Sequence, residues 1–137
     1  MNFLNRYADT VYCLMRLIVG LLFACHGGQK ILGFPAGGHG TPEGLMLLGG
    51  WIELVCGFLM AFGLLTRIAA FIASGEMAVG YFMFHAPNAF YPIVNKGEFA
   101  VALCFIFLFM VFYGPGWLSI DALIARSRGA TATATAP

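Results

Sequence analysis

Four long apolar stretches alternate with short segments rich in glycine, proline or charge; they cover 11–32, 45–65, 67–84 and 97–113. A membrane-spanning helix needs about 20 predominantly apolar residues. Each stretch therefore predicts one span. The fourth is the shortest, yet it carries phenylalanine at 105, 107, 109 and 112. The pattern predicts an all-α polytopic membrane protein, a bundle of four transmembrane helices.

The breaks between spans carry helix-end chemistry. Thr41-Pro42-Glu43 reads as an N-cap, a proline at the first helical position and a first-turn acid. Thr66 is a cap for the third helix, which leaves a very tight turn and makes helices two and three an antiparallel hairpin. Asn95 with Glu98 three residues on reads as a capping box for the fourth. Gly114-Pro115-Gly116 stops that helix. Leu118, Ile120, Leu123 and Ile124 then fall among Ser119 and Asp121, which predicts a short interfacial helix over 117–125. The Ala/Thr-rich tail, 127–137, is expected to be disordered. The loops at 33–41 and 86–95 lie at the opposite end and are long enough to fold over the bundle mouth.

Composition supports a membrane assignment. The chain is 61% hydrophobic and 9% charged over 137 residues. Soluble domains run about 45–50% apolar and about 25% charged. A net charge of +1 lacks the basic face that nucleic acid requires. Arg16 interrupts what would be the apolar core of a signal peptide, so the first segment is expected to remain as a span. Cys13, Cys25, Cys56 and Cys104 all fall in apolar stretches without a C-x-x-C pair and read as small hydrophobes. Arg6, Arg16, Arg67, Arg126 and Arg128 share one side; Lys30 and Lys96 share the other. The positive-inside rule then predicts both termini in the cytoplasm.

Against this apolar background, Glu53, Glu76 and Glu98 stand inside or at the edge of spans. A charged carboxylate at the bilayer centre costs about 2.5–3.5 kcal/mol on insertion scales, which makes an intramembrane acid a candidate functional group. Glu53 is eight residues from the start of its span and Glu76 nine from His85, so both fall at similar depth. His26 lies slightly nearer the loop end on helix one, and its ordinary pKa suits proton transfer. One reading assembles Glu53, Glu76 and His26 as catalytic groups in a cavity open to the loop side. Arg16, Glu98, Trp51 and Tyr81 then serve as contacts for a bound ligand. The plainer reading makes the acids interhelical glue, for about 0.6–2 kcal/mol each. It makes His26 a histidine bonded to a neighbouring helix. Lys30 is expected to snorkel to the interface, and Arg16 to snorkel or pair with an acid. Gly49 and Gly57 flank Glu53 at i±4, and Ala69, Ala73 and Gly80 accompany Glu76; both stripes turn the acids inward. His39 lacks the convergent partners of a metal site, and Met77, Met83, His85 and His26 make only a loose copper path, so no metal is expected.

Taken in order, these motifs resemble the DoxX family of small four-helix bacterial membrane proteins. The matching residues are Arg16-x-x-x-Gly20, His26-Gly27 and Lys30, then Gly49-Gly50-x-x-Glu53-x-x-x-Gly57. Gly63-Leu64-Leu65-Thr66-Arg67, Ala69-Ala70, Asn95-Lys96-Gly97-Glu98 and Gly114-Pro115-Gly116-x-x-Ser119-Ile120-Asp121 follow. The resemblance implies one membrane domain over 1–126 in the bacterial inner membrane. It also implies a redox association, since some members are linked to a thiosulfate:quinone oxidoreductase and others to complexes handling thiol and oxidative stress. No covalent cofactor is expected. The expected partners are the lipid bilayer, a quinone, and either protein subunits or further copies of the chain. A membrane transporter ranks below these, since no inverted repeat is apparent. The alternative to a quinone-binding redox subunit is a non-catalytic scaffold that assembles partner proteins.

Overall fold

The computed structural model describes residues 3–36 and 42–134, with side chains as far as Arg128. Six α-helices make up the described chain: α1 (Asn5–Leu32), α2 (Gly44–Phe62), α3 (Thr66–Gly80), α4 (Pro92–Asn95), α5 (Glu98–Tyr113) and α6 (Ile120–Ala134). A single wide π-helical turn, Tyr81–His85, extends α3. The helices Asn5–Leu32, Gly44–Phe62 and Thr66–His85 are long and apolar enough to cross a membrane, and Glu98–Tyr113 is a shorter apolar helix. Large apolar side chains such as Phe71, Phe105 and Phe112 stand on the outside of the bundle. In water that surface would be a severe liability; in lipid it is the solvent-matched face.

Helices α1 and α2 touch backbone to backbone. A methyl group on Gly20 would stand 2.6 Å from the Ala61 nitrogen and 2.8 Å from the Gly57 oxygen. Gly27 sits in the same way against Leu54, and Gly57 against Ala24. Without a hydrophobic drive between helices in lipid, such close approach is what holds a pair together. Phe23, Cys56, Met60, Ala69, Ala73, Leu103, Phe107 and Met110 fill the centre of the bundle. The rings of Phe23 and Phe107 join α1 to α5 edge to face, 4.7 Å between centroids. The Ser74 hydroxyl donates to the Cys104 carbonyl oxygen at 2.9 Å and ties α3 to α5.

The arginine end of the bundle is closed by capping contacts from distant parts of the chain. Gly63 ends α2 in the left-handed region (φ 70), and a side chain there would collide with the Arg16 guanidinium. Arg16 Nη1 donates to the carbonyls of Met60 and, at 2.8 Å, Ala61; Nη2 donates to Leu118 at 2.7 Å. Arg16 is thus buried against helix-end carbonyls. It neither snorkels nor pairs with an acid. Arg67 donates in the same way to Val111 and Phe112 at the end of α5, and Tyr12 to Gly114.

Several helix ends differ from the sequence expectation. Helix α2 begins at Gly44, with Glu43 as an extended N-cap, so Pro42 lies outside it; Thr41 and His39 lie outside the described residues. Thr66 is the first residue of α3 rather than its cap. The cap comes from Asp121, whose carboxylate accepts from Leu65 N at 3.0 Å and Thr66 N at 3.2 Å. Glu98 is the first residue of α5 and makes no capping box; Asn95 Oδ1 instead accepts from Gly97 N at 2.8 Å. The C-terminal helix starts at Ile120, and its backbone stays helical to Ala134, into the segment expected to be disordered.

Candidate functional site

The α2–α3 hairpin is pinned at its Gly63–Leu65 turn, and a cavity lies toward its other end. Its volume is about 570 Å³, and its walls come from α1, α2, α3, the π-helical turn, the segment before α5 and α5 itself. Apolar side chains such as Phe23, Ile52, Met77 and Phe99 dominate the walls. The polar lining consists of Glu53, Glu76, His26, Lys30, His85 and Lys96.

Each polar group is positioned by local structure. Glu53 is buried, its side chain 7% exposed, and Oε1 receives a 2.8 Å ion pair from Lys30 Nζ. The Lys30 side chain therefore turns into the bundle rather than snorkelling away. Oε2 of Glu53 is buried and has no hydrogen-bond partner among the described residues. Glu76 is half-buried, and its Oε2 is likewise unpartnered. Its Oε1 lies over Gly49, where a methyl group would stand 2.9 Å away. The glycines expected to share one face therefore serve two purposes. Gly50 and Gly57 meet α1, while Gly49 makes room for the Glu76 carboxyl.

His26 is an exposed residue that lines the cavity and pairs with the Phe99 ring at 5.7 Å between centroids. His85 was not expected to join the acids. The wide turn, closed by Ala86 N to Tyr81 O at 2.9 Å, sets its ring against the carbonyl of Asn95, with Nδ1 at 3.1 Å. A carbonyl only accepts, so Nδ1 is the donor in this contact. A π-turn of this kind frequently accompanies a functional site. Sequence gave no warning of it beyond a histidine at a helix end.

The ligand contacts proposed from sequence fall elsewhere. Arg16 is at the opposite end, among carbonyls. Trp51 is exposed on the outer face of α2, and Glu98 is exposed at the start of α5; neither lines the cavity. Tyr81 stands behind the wall, donating to Phe90 O and accepting from Asn95 Nδ2 at 3.2 Å, and so holds the loop that carries His85's partner. All four cysteines are free; Cys13 and Cys56 are buried, but Cys25 is exposed on α1. Among the described residues no group of three or more His, Cys, Asp or Glu is arranged to hold a metal ion.

A polytopic helical bundle with ionisable side chains gathered in an apolar, membrane-level cavity defines the class: a small integral membrane protein with an internal polar site. The sequence model of the DoxX family matches residues 11–86, and the chain belongs to that family. A Haemophilus influenzae protein of uncharacterised function is 41% identical over 128 residues, covering 88% of this chain and 96% of the relative. An uncharacterised membrane protein of Mycobacterium tuberculosis is 29% identical over 85% of this chain and 82% of its own. A Bacillus subtilis protein named "Putative oxidoreductase CatD" is 25% identical over 91% of this chain and 95% of its own. No solved structure matches significantly.

Proposed function

We propose that this chain is a redox-associated membrane subunit that binds quinone or quinol in the Glu53–Glu76 cavity. The observation that carries the reading is the cavity itself: apolar walls around two carboxyl groups with unpartnered oxygens. Its volume lies within the roughly 300–1,000 Å³ of small-molecule pockets, which are mostly apolar with a few convergent polar groups. A quinone has this character, an apolar ring and tail with two polar oxygens. Reduction of a quinone takes up two electrons and two protons. Glu76 and His26 are the groups that hold and hand over the protons, with the Glu53 carboxylate beside them. The electrons come from a partner subunit bearing a redox centre. The relative named as an oxidoreductase supports a redox setting. The arginine-rich end faces the cytoplasm of a bacterial inner membrane, with both termini on that side, and the cavity mouth faces outward.

The test is the thermal stability of the detergent-purified protein with ubiquinone and menaquinone analogues. Wild type is stabilised, and Glu76→Gln weakens the effect. No shift with any quinone in wild type overturns the reading. The scaffold alternative draws on the arginine end, where the resemblance-bearing residues Arg16, Thr66, Arg67 and Asp121 serve helix ends. It expects Glu53→Gln and Glu76→Gln to lower folding or complex yield without altering any ligand response.

A further inference from the structure

The unpartnered oxygen of Glu53 says which redox form the cavity suits. Glu53 is ion-paired through Oε1, and its side chain is 7% exposed. An ionised carboxylate accepts hydrogen bonds and donates none. Its second oxygen, Oε2, is buried without a hydrogen-bond partner among the described residues, and Glu53 lines the cavity. A buried acceptor left unmet carries a desolvation penalty that a ligand donor removes. The Lys30 ammonium is 37% exposed and gives one of its three donors to Oε1. The more deeply buried member of the pair is thus an acceptor.

We propose that the cavity binds the reduced, hydroxyl-bearing quinol in preference to the oxidised quinone, with Glu53 Oε2 accepting from a quinol hydroxyl. This rests on the quinone reading above and deepens it. A quinone carbonyl brought to Oε2 sets acceptor against acceptor. A hydroxyl there donates to a charged group, the stronger kind of hydrogen bond. By linkage, a site that holds quinol more tightly makes bound quinone easier to reduce. That bias suits a subunit in which quinone is the electron acceptor.

The experiment measures binding of short-chain ubiquinol and ubiquinone to the purified full chain under anaerobic conditions. The di-O-methyl ether of the same quinol, which cannot donate, is the control. Quinol binds at least about tenfold more tightly than quinone, the factor expected for one hydrogen bond to a charged acceptor. The ether gains nothing over quinone. Equal or tighter binding of quinone, or an ether as tight as quinol, overturns the proposal and leaves the quinone reading standing. Binding of neither form overturns both. A Lys30→Met, Glu53→Gln double variant removes both charges, so no ion is left buried and alone. It brings the quinol-to-quinone ratio close to one, and a ratio kept at the wild-type value overturns the role of Glu53.

Discussion

Lys30 on α1 and Glu53 on α2 form a 2.8 Å ion pair in which the acid is buried and the ammonium reaches the cavity edge. Breaking a fully buried pair costs about 3–5 kcal/mol, because the remaining charge is stranded. Lys30 is more than a third exposed, so about 1–3 kcal/mol is expected here. Lys30→Met should lose that much stability, and adding Glu53→Gln should restore most of it. Reversible unfolding of the four proteins in a double-mutant cycle checks this. An unchanged Lys30→Met protein would show that the pair contributes nothing.

Gly49→Ala should alter the site more than the fold. The added methyl meets the end of the Glu76 side chain, not backbone. Alanine also favours the helix by up to about 1 kcal/mol. Basal melting temperature should therefore hold or rise, while stabilisation by the quinol analogue falls because the Glu76 carboxyl is displaced. Retention of the full ligand effect would remove Gly49 from the site.

Glycine positions should separate sharply. Gly20→Ala and Gly57→Ala drive a methyl into the backbone of the facing helix, which cannot yield locally. Overpacking typically costs about 1–3 kcal/mol, occasionally more, and a backbone clash belongs at the upper end. Gly75→Ala enters open space and should be neutral or stabilising. The yield of monodisperse protein and its melting temperature report both. A tolerated Gly20→Ala would contradict the α1–α2 contact.

Asp121→Ala should weaken the arginine end alone. The substitution removes the acceptor for Leu65 N and Thr66 N, at the start of α3. Loss of a cap costs about 0.5–2 kcal/mol. Leu65 also holds a left-handed conformation (φ 50), so its amide depends on this contact. Stability should drop while the shift produced by quinol remains. Loss of the ligand shift in a folded Asp121→Ala protein would join the two ends of the bundle functionally.

Reporter fusions test orientation. A fluorescent protein fused after Pro137 should fluoresce, and alkaline phosphatase fused there should be inactive, as both require for a cytoplasmic C-terminus. The reverse pattern would invert the topology and place the cavity mouth on the cytoplasmic side.

Glu53, Glu76 and His26 were legible as one group because depth in a membrane follows from counting residues along helices. Their hydrophobic surroundings also make any acid conspicuous. Lys30 as the partner of Glu53 was not legible. The contact spans 23 residues in sequence and depends on how α1 lies against α2. His85 was hidden because only the π-helical turn and the Asn95 carbonyl give it an orientation. Trp51 lies two residues from Glu53 and Tyr81 five from Glu76, but position along a helix does not specify which way a side chain faces.

By itself the sequence determined the membrane, the apolar helices and the acids set among them, because these depend on local composition and on a fixed rise per residue. Tertiary structure decided the rest. It made Arg16 a clamp on carbonyls and Asp121 the cap of a helix that begins 55 residues earlier. It also turned Gly49 toward Glu76 and Gly57 toward α1. Hydrogen bonds and close approaches between helices depend on rotation and crossing about each axis, and those are fixed only when all the helices pack together.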